Sequence, residues 1–280
     1  MVDVSTLNDK HDKMRNLLHC KCPVFSVGVV SLKSLNDEHK DFPIDLRNLL
    51  SRLSATSPYI RELILKESSW LKDNLNTDIF EVIEALVEYC KKSNYQNLGY
   101  RLRVAKRRSN LLIALADFGR VLELNEVTKM LSYFAENIVE TALNIATHSE
   151  FSKVKPQYFI ESGKHYPTNP VQAASQTGVA AIAMGKLGAF ELNYSSDIDL
   201  IFIFDEEMYS PKDYSKVRGI FINIIRKLVR LLSKNTENGY VYRVDLRLRP
   251  DPSSTPICIG LLAAQRYYEN FGRNWERAAF

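Results

Sequence analysis

Asp197 and Asp199 stand one residue apart in GKLGAFELNYSSDIDLIFIFD, residues 185–205, directly ahead of the apolar run Leu200 to Phe204. Side chains alternate along an extended segment, so the two carboxylates share one face while Ile198 and Leu200 take the other. Like charges that close repel, and burying them is costly without a compensating cation. The most economical such cation is a metal ion. A third carboxylate comes from YVYRVDLRLRP, residues 240–250. There Tyr242, Val244, Leu246 and Leu248 form the apolar face of an alternating strand running to Pro250. Arg243, Asp245, Arg247 and Arg249 form the other face. If that polar face meets the aspartate pair, three carboxylates lie ringed by guanidinium groups. Asp197, Asp199 and Asp245 then suit Mg²⁺, a hard ion that takes oxygen ligands and is often completed by substrate phosphates. A two-metal arrangement would hold its ions roughly 3.5–4 Å apart and act on both the attacking and the leaving oxygen.

A phosphate cradle is expected beside them. Gly185 follows an apolar run directly, and Gly188 leaves a second position without a side chain. Such a turn lets backbone N–H groups approach a phosphate closely. Ser195 and Ser196 can add hydroxyl donors, Lys186 a charge, and Arg247 and Arg249 planar forks for anionic oxygens. A Walker loop is excluded, because six residues rather than four lie between Gly178 and Gly185, and Leu187 follows the lysine. Blander readings stand beside these. A D-x-D pair alone is more often strand-end solvation or a turn cap, and the arginines of 243–249 also fit the solvated face of an edge strand. The cluster Arg101, Arg103, Lys106, Arg107 and Arg108 is expected to be a wet helix face.

The elements that must position this chemistry follow from texture. Residues 1–40 are unassigned. Residues 41–174 read as a helical region and a connection, with long periodic segments nearly free of glycine and proline. Ile79, Val82, Ile83, Leu86 and Cys90 mark one helical face there. Residues 175–280 read as a small α/β domain: two apolar strands, a helix striped by Val217, Phe221, Ile224, Ile225 and Leu228, the Asn238-Gly239 turn, the alternating strand, and a last helix from about Gly260.

Composition bounds the rest. A chain of 280 residues can build a sizeable core, and a net charge of +4 permits an anionic substrate without the basic footprint of a nucleic-acid binder. No run is long and apolar enough for a membrane helix, and the polar start MVDVSTLNDKHDKMRN has no apolar signal region. Four scattered cysteines suit reduced thiols in a cytoplasm. His19, Cys20 and Cys22 are too few and too close together for a zinc clip.

The glycine turn, the D-h-D strand and the later h-D-h strand together resemble the polymerase-β-like nucleotidyltransferases. GKLGAFELNYSSDIDLIF, YVYRVDLRLRP and YYENFGRNWERAAF resemble, in order and spacing over roughly residues 98–280, the bacterial glutamine synthetase adenylyltransferase/adenylyl-removing enzymes. The resemblance implies an α+β chain whose catalytic domain carries a small mixed sheet and is truncated at Phe280. It also implies ATP, ADP and phosphate as substrates or products. The protein substrate would be glutamine synthetase, with a PII-type signalling protein as a further partner and neither nucleic acid nor membrane. LNYSSD, YRVDLRLRP and GRNWER are closer to the repeat that removes AMP from adenylyl-tyrosine by phosphorolysis. The reverse adenylylation, a broader nucleotidyltransferase and a silent helical binding module are the alternatives. Trp275, Glu276 and Arg277 are family-marked, and Ala189 stands where the family usually has a second glycine.

Overall fold

A computed structural model describes residues 15–22, 42–154, 166–274 and 276. Most of the segment 1–40, together with Trp275 and Arg277, lies outside these residues. The chain divides into two compact units, Met1–Leu86 with Arg107–Met130, and Val87–Lys106 with Leu131–Phe280.

The expected helical region is present. Its helices are α1 (Ile44–Thr56), α2 (Pro58–Asp73), α3 (Ile79–Lys91), α4 (Tyr95–Phe118) and α5 (Leu124–Phe151). In the first unit α1 buries Leu46, Leu49, Leu50 and Leu53 at helical spacing. Helix α2 opens on Ser57, whose side chain accepts the Ile60 N–H at 3.3 Å, with Pro58 next in the first turn, where its missing N–H costs nothing. Glu67 of α2 is buried. Its carboxylate accepts from Arg107 at 2.5–2.6 Å and from Arg108 at 2.7 Å, which keeps the charge paired.

The expectation of a wet basic face on α4 is therefore overturned. Arg107 and Arg108 serve Glu67, while Arg103 and Lys106, in the second unit, are only 5 % and 7 % exposed. The physical reason is that α4 is enclosed on most sides. Leu102, Val104, Ala105 and every residue from Ser109 to Ala116 are buried, so little of its surface is left for water.

The second unit carries the sheet. Helix α6 (Ala173–Gln176) leads into β1 (Val179–Met184), α7 (Gly185–Gly188) and β2 (Ile198–Phe204). Helix α8 (Tyr214–Ser233) then precedes β3 (Val244–Asp245), β4 (Ile259–Gly260) and α9 (Leu261–Asn270). The sheet is mixed: β2 is antiparallel to β1 on one edge, and parallel to both β3 and β4 on the other. Ile198, Leu200, Phe202 and Phe204 are buried on one face, and Phe204 stacks on Phe221 of α8 at 4.7 Å between ring centroids. Helix α5 fixes both ends of the leading segment. Asn144 accepts the Ala174 N–H at 2.9 Å, and Ser132 accepts the Leu192 N–H at 3.1 Å.

The third strand is far shorter than alternation predicts. It ends at Asp245 because that carboxylate accepts the N–H of Arg247 at 2.8 Å, a local turn that competes with the ladder. Tyr242 is buried as expected, whereas Val244, Leu246 and Leu248 are only half-buried.

Candidate active site

The pairing register brings the acidic residues together. Asp199 lies opposite Met184 of β1 on one side and opposite Asp245 of β3 on the other. Asp197 sits just ahead of β2, with its side chain 48 % exposed, while the neighbouring Ile198 is fully buried. This is the alternation required to aim both aspartates away from the core.

Gly185 follows Met184 and has φ +56°, in the left-handed region where a Cβ is penalised. A Cβ built there would come within 3.0 Å of the Asp199 carboxylate. Glycine is thus required at this point by backbone conformation and by the acidic neighbour together. At Gly188 a Cβ would strike the Ala183 carbonyl at 2.7 Å, so this glycine lets the turn fold back on β1. Ala189 takes an ordinary right-handed conformation, and the left-handed residue of this turn is Phe190, at φ +58°.

The electrostatics follow from the crowding. Burial first, then the charges of Asp245 and Asp197, push the Asp199 carboxyl above its usual range, with Arg247 opposing. Asp245 is held below the usual range by its hydrogen bonds from Arg247, at 2.8 and 3.0 Å from Nε. Arg243 pairs with Asp197 and also donates to the Ser195 carbonyl at 2.6 Å and to the Tyr240 hydroxyl at 3.1 Å. Arg243, which sequence reasoning put on the polar face ringing the carboxylates without a specific assignment, is the arginine that meets Asp197. Its place on the same polar face as Arg247 was the available signal.

The remaining candidates are placed as follows. Lys186 and Ser195 are exposed beside this turn, and the Ser196 N–H closes a turn onto Asn193 at 3.3 Å. Arg249 is directed elsewhere: it donates to the carbonyls of Leu246 at 2.7 Å and Pro252 at 2.8 Å, shaping the loop after β3. Glu276 is buried, accepting from the Tyr267 hydroxyl at 2.9 Å and the Arg273 N–H at 2.7 Å. The four cysteines form no disulfide.

Among the described residues, no three His, Cys, Asp or Glu side chains already converge as a metal site. Two of the three candidate carboxylates are instead turned onto guanidiniums, Asp197 to Arg243 and Asp245 to Arg247. The donor chemistry nonetheless fits a hard divalent cation. Asp199 and Asp245 are adjacent in register, all three groups are oxygen donors, and their crowding at Asp199 is relieved by added positive charge. Among the described residues no helix is long and apolar enough to cross a membrane.

The family profile described as Glutamate-ammonia ligase adenylyltransferase matches residues 47–280. Similar curated proteins are bifunctional glutamine synthetase adenylyltransferase/adenylyl-removing enzymes. That of Rhizobium meliloti is 43 % identical over 248 residues, covering 84 % of this chain and 24 % of the relative. That of Bartonella henselae is 37 % identical over 238 residues, covering 83 % and 24 %. That of Bartonella quintana is 34 % identical over 277 residues, covering 92 % and 27 %. The chain spans about a quarter of the length of the curated relatives it matches.

Proposed function

The chain belongs to the glutamate-ammonia ligase adenylyltransferase family, and on that premise we propose that residues 175–280 form the catalytic part of a nucleotidyltransferase acting on glutamine synthetase. The observation that carries the reading is the register of Asp199 against Asp245, with Gly185 leaving room at the Asp199 carboxylate. The direction we favour is removal of AMP from adenylyl-tyrosine. Its support is the likeness of LNYSSD and YRVDLRLRP to the removing repeat.

In that reaction an oxygen of inorganic phosphate attacks the α-phosphorus of the adenylyl group. A new P–O bond forms, the bond from phosphorus to the tyrosine oxygen breaks, and that oxygen takes a proton. The products are ADP and free tyrosine. Asp197, Asp199 and Asp245 would hold Mg²⁺, which when bound supplies the charge that neutralises the phosphoryl oxygens. The chain's own residues then bind and orient. Arg247, its side chain 85 % exposed, can leave Asp245 to meet an anionic oxygen, and Arg243 can do the same from Asp197. Gly185 admits the phosphate close to the backbone, with Lys186, Ser195 and Ser196 at the rim. Arg249 contributes by shaping the adjoining loop. Positioning and charge neutralisation carry most of the catalysis in such transfers.

The test is product identity. The chain is supplied with adenylylated glutamine synthetase and phosphate, or with unmodified glutamine synthetase and ATP. ADP release in the first supports the proposal. Pyrophosphate release in the second assigns the reverse reaction, and no Mg²⁺-dependent turnover in either refutes an active nucleotidyltransferase.

A further inference from the structure

Asp245 reaches the candidate site on a strand of two residues, joined to β2 by only two opposed pairs. A ladder that short cannot hold its own orientation against thermal motion. Something else must fix the approach of the chain to Val244.

That support comes from two buried cations of α4. The Arg103 guanidinium donates to four carbonyls: Gly99 at 2.7 Å on its own helix, Gly239 at 2.7 Å, Leu231 at 3.1 Å, and Lys234. Leu231 and Lys234 lie at the C-terminal end of α8, where helix carbonyls lack partners and a cation is favoured. Gly239 belongs to the turn that sends the chain back toward β3. Two residues later the backbone of Val241 and Tyr242 is tied to Leu232, at 2.9 and 3.1 Å. Lys106, one helical turn after Arg103, places its Nζ 4.1 Å from the centre of the Tyr242 ring. Tyr242 is buried and stands three positions before Asp245.

A fully enclosed ammonium is expensive to keep charged, and burial pushes that of Lys106 down to about 7. An apolar chain of similar length would fill the same space at lower cost. Arg103 bonds only to main-chain oxygens in the contacts above, so its fork is matched to a particular backbone path.

We propose that Arg103 and Lys106 are positioning residues of the candidate active site, clamping the segment Leu231–Tyr242 so that β3 presents Asp245 opposite Asp199. The proposal rests on the nucleotidyltransferase reading for its functional meaning, but its structural content is tested separately. In the full chain, amide hydrogen exchange is compared between wild type, Lys106→Met, Lys106→Arg and Arg103→Met. The peptide spanning 241–247 should exchange about tenfold faster or more in the two methionine variants, with Lys106→Arg recovering part of the protection. The peptide spanning 179–184 should be unchanged. Mn²⁺ binding to the nucleotide-free protein, followed by electron paramagnetic resonance, should weaken about tenfold in the same two variants.

Unaltered exchange over 241–247 in folded Lys106→Met overturns the proposal, as does an acceleration shared equally by 179–184. If Arg103→Met does not fold, Lys106→Met decides alone, since it removes an enclosed charge and keeps the volume. Wild-type protein that binds no Mn²⁺ sinks the metal-dependent reading instead, leaving the exchange result to judge the clamp.

Discussion

Gly185→Ala imposes two separable effects. The first is on folding. At φ +56° an L-residue is strained by about 1–2 kcal/mol relative to glycine, so Tm should fall by a few degrees. The second is on the site. The new Cβ would stand 3.0 Å from Asp199 Oδ2, tighter than a normal contact, so the carboxylate must retreat by some tenths of an ångström. A displacement of about 1 Å near reacting groups can cost about 10²-fold, so a shift of this size should lower turnover about tenfold in protein that remains folded. Thermal denaturation reads the first effect, and phosphate-dependent ADP release at saturating substrate reads the second. Gly178→Ala is the control: it is also strained, at φ +71°, and its Cβ meets Met208 Sδ and, at 3.0 Å, the Cβ of Asp205, neither of them a candidate site residue. It should lower Tm at least as much while leaving the turnover of folded protein within about twofold. Equal turnover losses in the two variants would refute the reasoning, because strain alone would then account for both.

Asp199→Asn should abolish turnover yet raise Tm at neutral pH, since it removes a carboxylate that burial and two like charges hold above its usual pKa; a lower Tm would contradict that picture. Lys106→Met should change the pH dependence of stability, measurable by urea denaturation. The folded-state pKa of about 7 lies below the ordinary 10.5, so the unfolded chain takes up the proton first. Wild-type stability therefore falls as pH drops from about 10 to 7, and the stability of the methionine variant relative to wild type should rise over that window and level off below it. Glu67→Gln should cost about 3 kcal/mol by urea denaturation, because it leaves Arg107 and Arg108 facing a group that no longer carries their counter-charge.

Much of the second unit was legible in the residue order. The apolar run of IDLIFIF marked β2, the stripe of α8 marked its helix, and the glycine after an apolar run marked the turn at Gly185, because these signals depend only on neighbours along the chain. The basic cluster of α4 was misread for the complementary reason. A one-dimensional pattern shows which side chains share a helix but not how much of that helix is covered. Only tertiary packing decided that Arg103 and Lys106 are enclosed, and that Arg107 and Arg108 meet Glu67 from about 40 positions away. The length of β3 was likewise set by competition, with the Asp245 side chain taking a backbone N–H that strand alternation assigned to the ladder.

The sequence by itself determined that three carboxylates, a glycine turn and a set of arginines were present in a workable order. What it could not determine was the register that sets Asp199 beside Asp245, or which arginines reach those carboxylates. Those depend on hydrogen bonds and burial between residues dozens of positions apart, which exist only once the chain has folded.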